Sequence, residues 1–289
     1  MDRGLLEAMQ RRAVATAGEF VPQAVSNVLW ALATMGERAD RGLLEAMQGR
    51  AAATAGAFDP QGVANVLWGL ATMGERANRG LLEAMESRAT ATAGEFSPQN
   101  VAKVLWALAV MDASAEWTHV PLAARVLDFR DQLTVEDKRQ LHQWLLSSDL
   151  DIEGVARVKE EIGEECLQAF AGRVTHESQL QRELVRDVVA ALRSERLQVE
   201  TEEEFRDAGS GYSIDVLVRA AGSLEWAVQV DGPSHFLGDG RTPRGSTLLK
   251  RKQLGQLGYA VVSVPFWAWN ALGDEEAKLR YIQEKLRGG

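Results

Sequence analysis

An α-helical repeat solenoid followed by a small α/β domain is the fold class that this sequence predicts, on three observations. A near-identical 38-residue unit fills the first third of the chain. A helical, acidic stretch follows without the repeat signature. The last third then orders its patterns as helix, strand, hairpin, helix, strand and helix. The expected boundaries are 1–115 for the solenoid, 116–175 for an acidic helical cap or linker, and 176–289 for the α/β domain, with its core at 226–286.

The repeat is read from two phrases. Arg-Gly-Leu-Leu-Glu-Ala-Met occurs at 3–9, 41–47 and 79–85, and Asn-Val-Leu-Trp or Lys-Val-Leu-Trp at 27–30, 65–68 and 103–106. Each unit holds two helices. In one, Val25, Val28, Leu29, Leu32 and Met35 fall at helical spacing between Pro22 and Gly36. In the other, Leu43, Leu44, Met47 and Ala51 do so, with Gly56 closing the segment. Such pairs bury their apolar faces by stacking on one another. Trp30, Trp68 and Trp106 are expected in the core. If the array reads single-stranded RNA, its readers are expected at positions that vary or stay polar at the repeat period: Ala24, Gly62 and Asn100; Ser26, Ala64 and Ala102; Asn27, Asn65 and Lys103. Periodicity alone fits a protein ligand as well.

The 38-residue unit, with Val-Leu-Trp-Ala-Leu-Ala-Thr-Met-Gly at 28–36, resembles the octotricopeptide repeat. That resemblance covers about residues 1–112 and implies an organellar RNA-binding solenoid, in a chloroplast or a mitochondrion. Met1-Asp2-Arg3-Gly4 already belong to the repeat, so no transit peptide is read there.

Composition bounds the rest. No apolar run is long enough for a bilayer, so no membrane insertion is expected. Cys166 is the single cysteine, which excludes an internal disulfide and argues against a cysteine metal site. The net charge of −9 is uneven: 10 basic and 12 acidic residues in 1–115, 12 and 22 in 116–215, and 10 and 7 in 216–289. Phosphate binding depends on local patches, so the overall sign does not exclude nucleic acid.

Between Trp117 and Gly172 three helical stretches are expected, around Leu122–Leu127, Leu133–Leu146 and Ile152–Phe170, as a degenerate repeat or a cap. Glu160, Glu161, Glu164 and Glu165 read as a solvated helix face.

In the last third a helix opens at His176-Glu177-Ser178, with Leu180, Leu184, Val188, Ala191 and Leu192 facing inward. A strand near 197–205 is followed by a hairpin of Tyr212–Arg219 and Leu224–Asp231. After Asp231-Gly232-Pro233 comes a polar, Gly-rich loop carrying Arg241 and Arg244. A helix with Lys250, Arg251 and Lys252 follows, then Gly258, a strand at Tyr259–Val264 and a helix near 274–287. If Asp215 stands opposite Gln229, then Asp215, Gln229 and Asp231 share one face of the hairpin, and Ile214, Val216, Val228 and Val230 the other. Two carboxylates on one face, with Glu183 from the preceding helix as a third, suit Mg2+ or Mn2+ acting on a phosphodiester. No cofactor is certain on this reading.

Val-Asp-Gly-Pro-Ser-His-Phe (230–236), Leu-Lys-Arg-Lys-Gln-Leu (249–254), Gly-Tyr-Ala-Val-Val-Ser-Val-Pro (258–265) and Trp267 together resemble the RAP domain of organellar RNA-processing proteins. The resemblance implies a fold of the PD-(D/E)XK restriction-endonuclease-like type, with Asp215 as the first metal-binding acid and Asp231 as a later acidic position. Two departures bear on activity. Gln229 stands where an active nuclease has an acid, and an amide supplies neither charge nor a base. Ser213 and Ile214 precede Asp215 in place of the usual proline. Structural readings stay open for the same residues. Asp231 suits a turn, His235 a packed imidazole, and the Lys250–Lys252 run an exposed helix face; Trp267 and Trp269 are read as core.

Together these expectations describe an organellar RNA-binding protein that supports RNA processing, stability or translation. His235, Lys250, Arg251 and Lys252, with the loop arginines, would contact single-stranded RNA, with other RNA-processing proteins as further partners. The alternatives are a metal-dependent endoribonuclease and a protein scaffold.

Overall fold

The computed structural model describes residues 2–113, 121–148, 151–173, 179–194, 197–220 and 225–288. The chain divides into two compact units. One comprises 1–170 with 237–246, and the other 171–236 with 247–289.

The first unit is a stack of helix pairs: α1 (Arg3–Ala15) and α2 (Pro22–Met35), α3 (Arg41–Ala53) and α4 (Pro60–Thr72), then α5 (Arg79–Ala91) and α6 (Pro98–Met111). Local chemistry sets each boundary. Asp2, Asp40 and Asn78 cap α1, α3 and α5 by accepting backbone N–H groups of the first turn. Proline sits at the first position of α2, α4 and α6, where its missing N–H costs nothing. Gly36 ends α2 at φ +68, a left-handed C-cap. The helix of Leu43–Ala51 stops at Ala53, and Gly56 falls in the short 3₁₀ turn Ala55–Ala57 beyond it.

Packing runs α2 on α4 and α4 on α6, with α1, α3 and α5 as the second row. The stack continues past the clear repeats. After α7 (Leu122–Asp128), helix α8 (Val135–Ser147) packs on α6 as α6 packs on α4, and α9 (Glu153–Ala171) follows. Helix α8 keeps the phase: Trp144 lies 38 residues after Trp106, and Thr134 caps the helix as Ser97 caps α6. On α9 the acidic run divides: Glu160, Glu161 and Glu164 are exposed, whereas Glu165 pairs with Arg130 at 3.1 Å and Lys138 at 2.7 Å. Cys166 is fully buried, and that burial pushes its thiol up to about 12.

The expectation of three core tryptophans needs correction. Trp106 is 6% exposed and donates Nε1–H to Gln143 Oε1 at 2.9 Å, Trp68 is half-buried, and Trp30 is 42% exposed. Met35, expected on the apolar face of α2, is exposed too. Identical residues differ because their burial depends on which neighbouring repeat covers them.

The second unit packs α10 (Gln179–Leu192), α12 (Phe266–Trp269) and α13 (Glu275–Gly288) with a four-stranded mixed sheet: β1 (Glu200–Arg206), β2 (Ser213–Arg219), β3 (Glu225–Asp231) and β4 (Ala260–Pro265). Strand order follows sequence order. β1, β2 and β3 are antiparallel in turn, and β4 joins β3 in parallel after α11 (Gly245–Gln256). Val216, Val218, Val228, Val230, Val262 and Val264 form the apolar face, packed with Leu184, Val188 and Leu192 of α10 and Ile282 of α13. Trp269 Nε1 and Lys278 Nζ both donate to Asp187 Oδ2, at 2.9 and 2.7 Å, which fixes α12 and α13 to α10. Leu180 is exposed, not inward as expected, because it lies a turn before the sheet-covered stripe. The expected helix start at His176–Ser178 and, of the expected hairpin turn Ala220–Ser223, residues 221–223 lie outside the described residues.

Gly258 closes α11 at φ +97, with nothing within 4 Å of where a Cβ would stand. The expected cost of Gly258→Ala is therefore conformational, about 1–2 kcal/mol. Urea unfolding of the two proteins checks this, and equal midpoints would contradict it.

Candidate functional site

The apolar face of the sheet has a polar counterpart on its other side. The β2–β3 register pairs Val216 with Val228 and Leu217 with Ala227. One step further, the same register sets Asp215 opposite Gln229. There the Asp215 carboxylate, through Oδ2, accepts the Val230 N–H at 2.7 Å. The period-two alternation therefore brings Asp215, Gln229 and Asp231 to one face, and the parallel register adds Ser263 beside Gln229.

Asp231 is the centre of this face. It is 2% exposed, and its carboxylate is met by three donors. Arg251 Nη2 on α11 and Ser263 Oγ on β4 donate to Oδ2 at 2.7 and 2.6 Å. His235 Nδ1 stands 3.2 Å from Oδ1. Arg251 Nη2 also reaches Ser263 Oγ at 2.8 Å, closing a triangle. Burial alone raises this carboxyl. The His235 hydrogen bond, the Arg251 charge and the Ser263 hydroxyl outweigh it and hold Asp231 below the usual carboxylate range. His235 itself sits in a 3₁₀ turn, Pro233–His235, whose last carbonyl accepts Thr247 Oγ1–H at 3.1 Å. The imidazole is thus anchored through Nδ1 and is still about a third exposed.

Asp215 differs. The residue keeps some exposure, but burial of its carboxyl dominates and raises it, with the Lys250 charge and the Val230 N–H opposing. Lys250 is held low by burial, against the pull of Asp215 and Asp231. Gln229 is buried, and its Nε2 has no hydrogen-bond partner among the described residues. Set against a divalent ion, this is a poor donor set: a neutral amide, one carboxylate already met by Arg251, Ser263 and His235, and one carboxylate beside an ammonium. No group of three or more His, Cys, Asp or Glu among the described residues is arranged to hold a metal.

The other expected residues lie elsewhere. Glu183 is exposed on α10, where it accepts from Gln179 Nε2 at 2.8 Å. Arg241 and Arg244 lie on 237–246, which groups with the first unit. Lys252 is half-buried on α11. Of the solenoid positions, Asn27 is exposed and Asn65 buried, with Oδ1 unpartnered among the described residues. Lys103 is half-buried with its Nζ 5.8 Å from the Trp68 ring centroid, and burial lowers it. Sequence reasoning missed Ser263, whose signal was a lone hydroxyl in the apolar run Val261–Val264. It also missed the buried bond from Tyr212 Oη to Gln253 Oε1 at 2.6 Å, which ties the β2 entry to α11.

Among the described residues no helix is long and apolar enough to cross a membrane. Residues 2–116 match the family model of the RNA-editing substrate-binding complex 6 protein. A RAP domain-containing protein, chloroplastic, of Oryza sativa subsp. japonica is 33% identical over 76 residues, 26% of this chain and 11% of that protein. The match thus spans about a tenth of that relative's length. Residues 228–285 match the RAP domain model. The C-terminal part of this chain is a RAP domain.

Proposed function

We propose that this protein binds single-stranded RNA in a chloroplast or mitochondrion and supports the processing, stability or translation of a transcript. The repeats would select the sequence and the RAP domain would hold the strand near His235. The observation that carries this reading is the double match: a RAP domain at one end, and at the other a family named for binding substrate in an RNA-editing complex. The relative's chloroplastic label and the resemblance to octotricopeptide repeats support the organellar part. Other RNA-processing proteins are natural partners on the same grounds.

The chemistry of the site favours holding over cutting, although its resemblance is to a nuclease-like fold. Gln229 brings no charge, and Asp231 is committed to Arg251, Ser263 and His235. Those bonds fix the imidazole ring while Nε2 stays clear of the Asp231 contact, and a ring so fixed suits a phosphate or sugar contact. Arg251 also pairs with the buried Asp231 carboxylate, and burial dominates at Lys250, so removal of either would damage the fold along with any binding.

The test therefore uses His235→Ala and Lys252→Ala, read by fluorescence anisotropy with single-stranded RNA across a salt series. Affinity is expected to fall steeply with salt, and each variant to bind several-fold more weakly; Lys252→Ala is expected to leave the unfolding midpoint unchanged, whereas His235→Ala, which removes a hydrogen bond from buried Asp231, also lowers it. Salt-insensitive association with a protein partner, and no RNA binding, would replace this reading with the scaffold.

A further inference from the structure

The polar, Gly-rich segment 237–246 lies within the RAP match, yet it packs as part of the first unit. A single carboxylate folds the segment on itself. Asp239 Oδ1 accepts the N–H groups of Arg241 and Thr242 at 2.9 and 2.8 Å, and Oδ2 accepts the Thr242 hydroxyl. The Leu237 N–H closes the turn on the Thr242 carbonyl at 2.8 Å, and Leu237 itself is buried.

The seat of this turn lies at helix ends of the repeats. The Gly238 N–H donates at 2.7 Å to the carbonyl of Gly36, the C-cap of α2. The Arg244 guanidinium fills the space where a Cβ on Gly36 would stand, at a helix C-terminus that favours a cation. A Cβ on Gly245 would overlap the Ala71 carbonyl of α4 and come to 3.0 Å from Val110 Cγ1 on α6. Arg38 and Asp239 add an ion pair at 3.8 Å, but Arg38 is 59% exposed, so the pair contributes little. A close fit with a screened ion pair suits a segment that seats and lifts.

The seat also overlaps the row of expected RNA readers. Asn65, Trp68 and Thr72 follow one another at helical spacing on α4. Lys103 and Val110 stand two turns apart on the matching face of α6. Gly245 against Val110 therefore sets the segment across the C-terminal end of the face that carries Lys103. We propose that residues 237–246 form an autoinhibitory strap on the solenoid. Seated, the strap blocks the C-terminal end of the reader row, and single-stranded RNA runs along the full row only when it lifts. The strap deepens the RNA-binding reading above and rests on it.

The full chain is compared with Gly245→Val, which removes the seat, and with Asp239→Ala, which removes the turn. Trypsin reports release, through the bonds after Arg241 and Arg244. A strap seated about nine-tenths of the time lowers apparent affinity about tenfold. Both variants are therefore expected to be cut at these bonds about tenfold faster than the parent, and to bind single-stranded RNA about tenfold more tightly. By linkage, saturating RNA is expected to speed the same cleavage in the parent chain. Variants no more open to trypsin, or open but no tighter for RNA, would overturn the strap and leave the RNA-binding reading standing. RNA that slows the cleavage would overturn it too, because the segment would then close on RNA. RNA bound by none of the three proteins would overturn both.

Discussion

Replacing Asp231 with alanine is expected to destabilise the RAP-bearing unit by on the order of 3–5 kcal/mol, the usual consequence of removing one partner of a buried ion pair. The variant loses more than a charge. Among the described residues Arg251 Nη2 keeps the Ser263 hydroxyl and its buried Nε has no partner, and the His235 ring loses the bond that orients it. The pH dependence has a definite sign. The folded-state pKa of Asp231 lies below the ordinary carboxylate value, so its contribution is present above that ordinary value. It is lost as pH falls through the depressed folded-state pKa. The gap between the parent protein and Asp231→Asn should therefore narrow on acidification, measured as urea midpoints across pH. A gap that stays constant in acid would mean that the carboxylate charge contributes nothing. Asp215 runs the other way: its carboxyl is raised, so its contribution is complete in acid and is lost as pH rises through the folded-state value.

Trp106→Ala is expected to cost about 3–5 kcal/mol, while Trp30→Ala costs about 1 kcal/mol or less. The two residues occupy the same position of the same repeat. Trp106 is buried against the next pair, and its indole N–H is bonded to Gln143; Trp30 is 42% exposed. Removing Trp106 opens a cavity and takes a donor from the half-buried Gln143 amide. Thermal unfolding of both variants checks the contrast. Equal losses would mean that burial differs less along the stack than the geometry indicates.

These cases show where the sequence was informative. The helix pairs were legible because capping residues, prolines and apolar spacing recur in phase. The hairpin register was legible because only one alternation puts Val216, Val228 and Val230 inward together. The burial of each tryptophan was not, since it depends on neighbours supplied by other repeats. Helix α8 was read only as a degenerate helical segment because Leu141-His142-Gln143 replaced the familiar phrase, although Trp144 kept the period. The triangle around Asp231 was hidden for a different reason. Lys250-Arg251-Lys252 looks like a solvated run, and nothing local indicates that Arg251 turns inward to a carboxylate 20 residues away. Glu183 carries the converse lesson: sequence proximity to an acidic hairpin did not bring its side chain there, because the helical phase turns it to solvent.

On the proposed function, the chain would hold RNA without cutting it. The most direct measurement incubates the protein with labelled single-stranded RNA in Mg2+, in Mn2+ and in chelator, beside Asp215→Ala and Asp231→Ala, and reads both the bound fraction and the RNA length. The expected result is RNA bound by the parent protein and of full length under every condition. Metal-dependent cleavage by the parent protein, lost in both variants, would contradict the account and make the Asp215–Gln229–Asp231 face a nuclease centre.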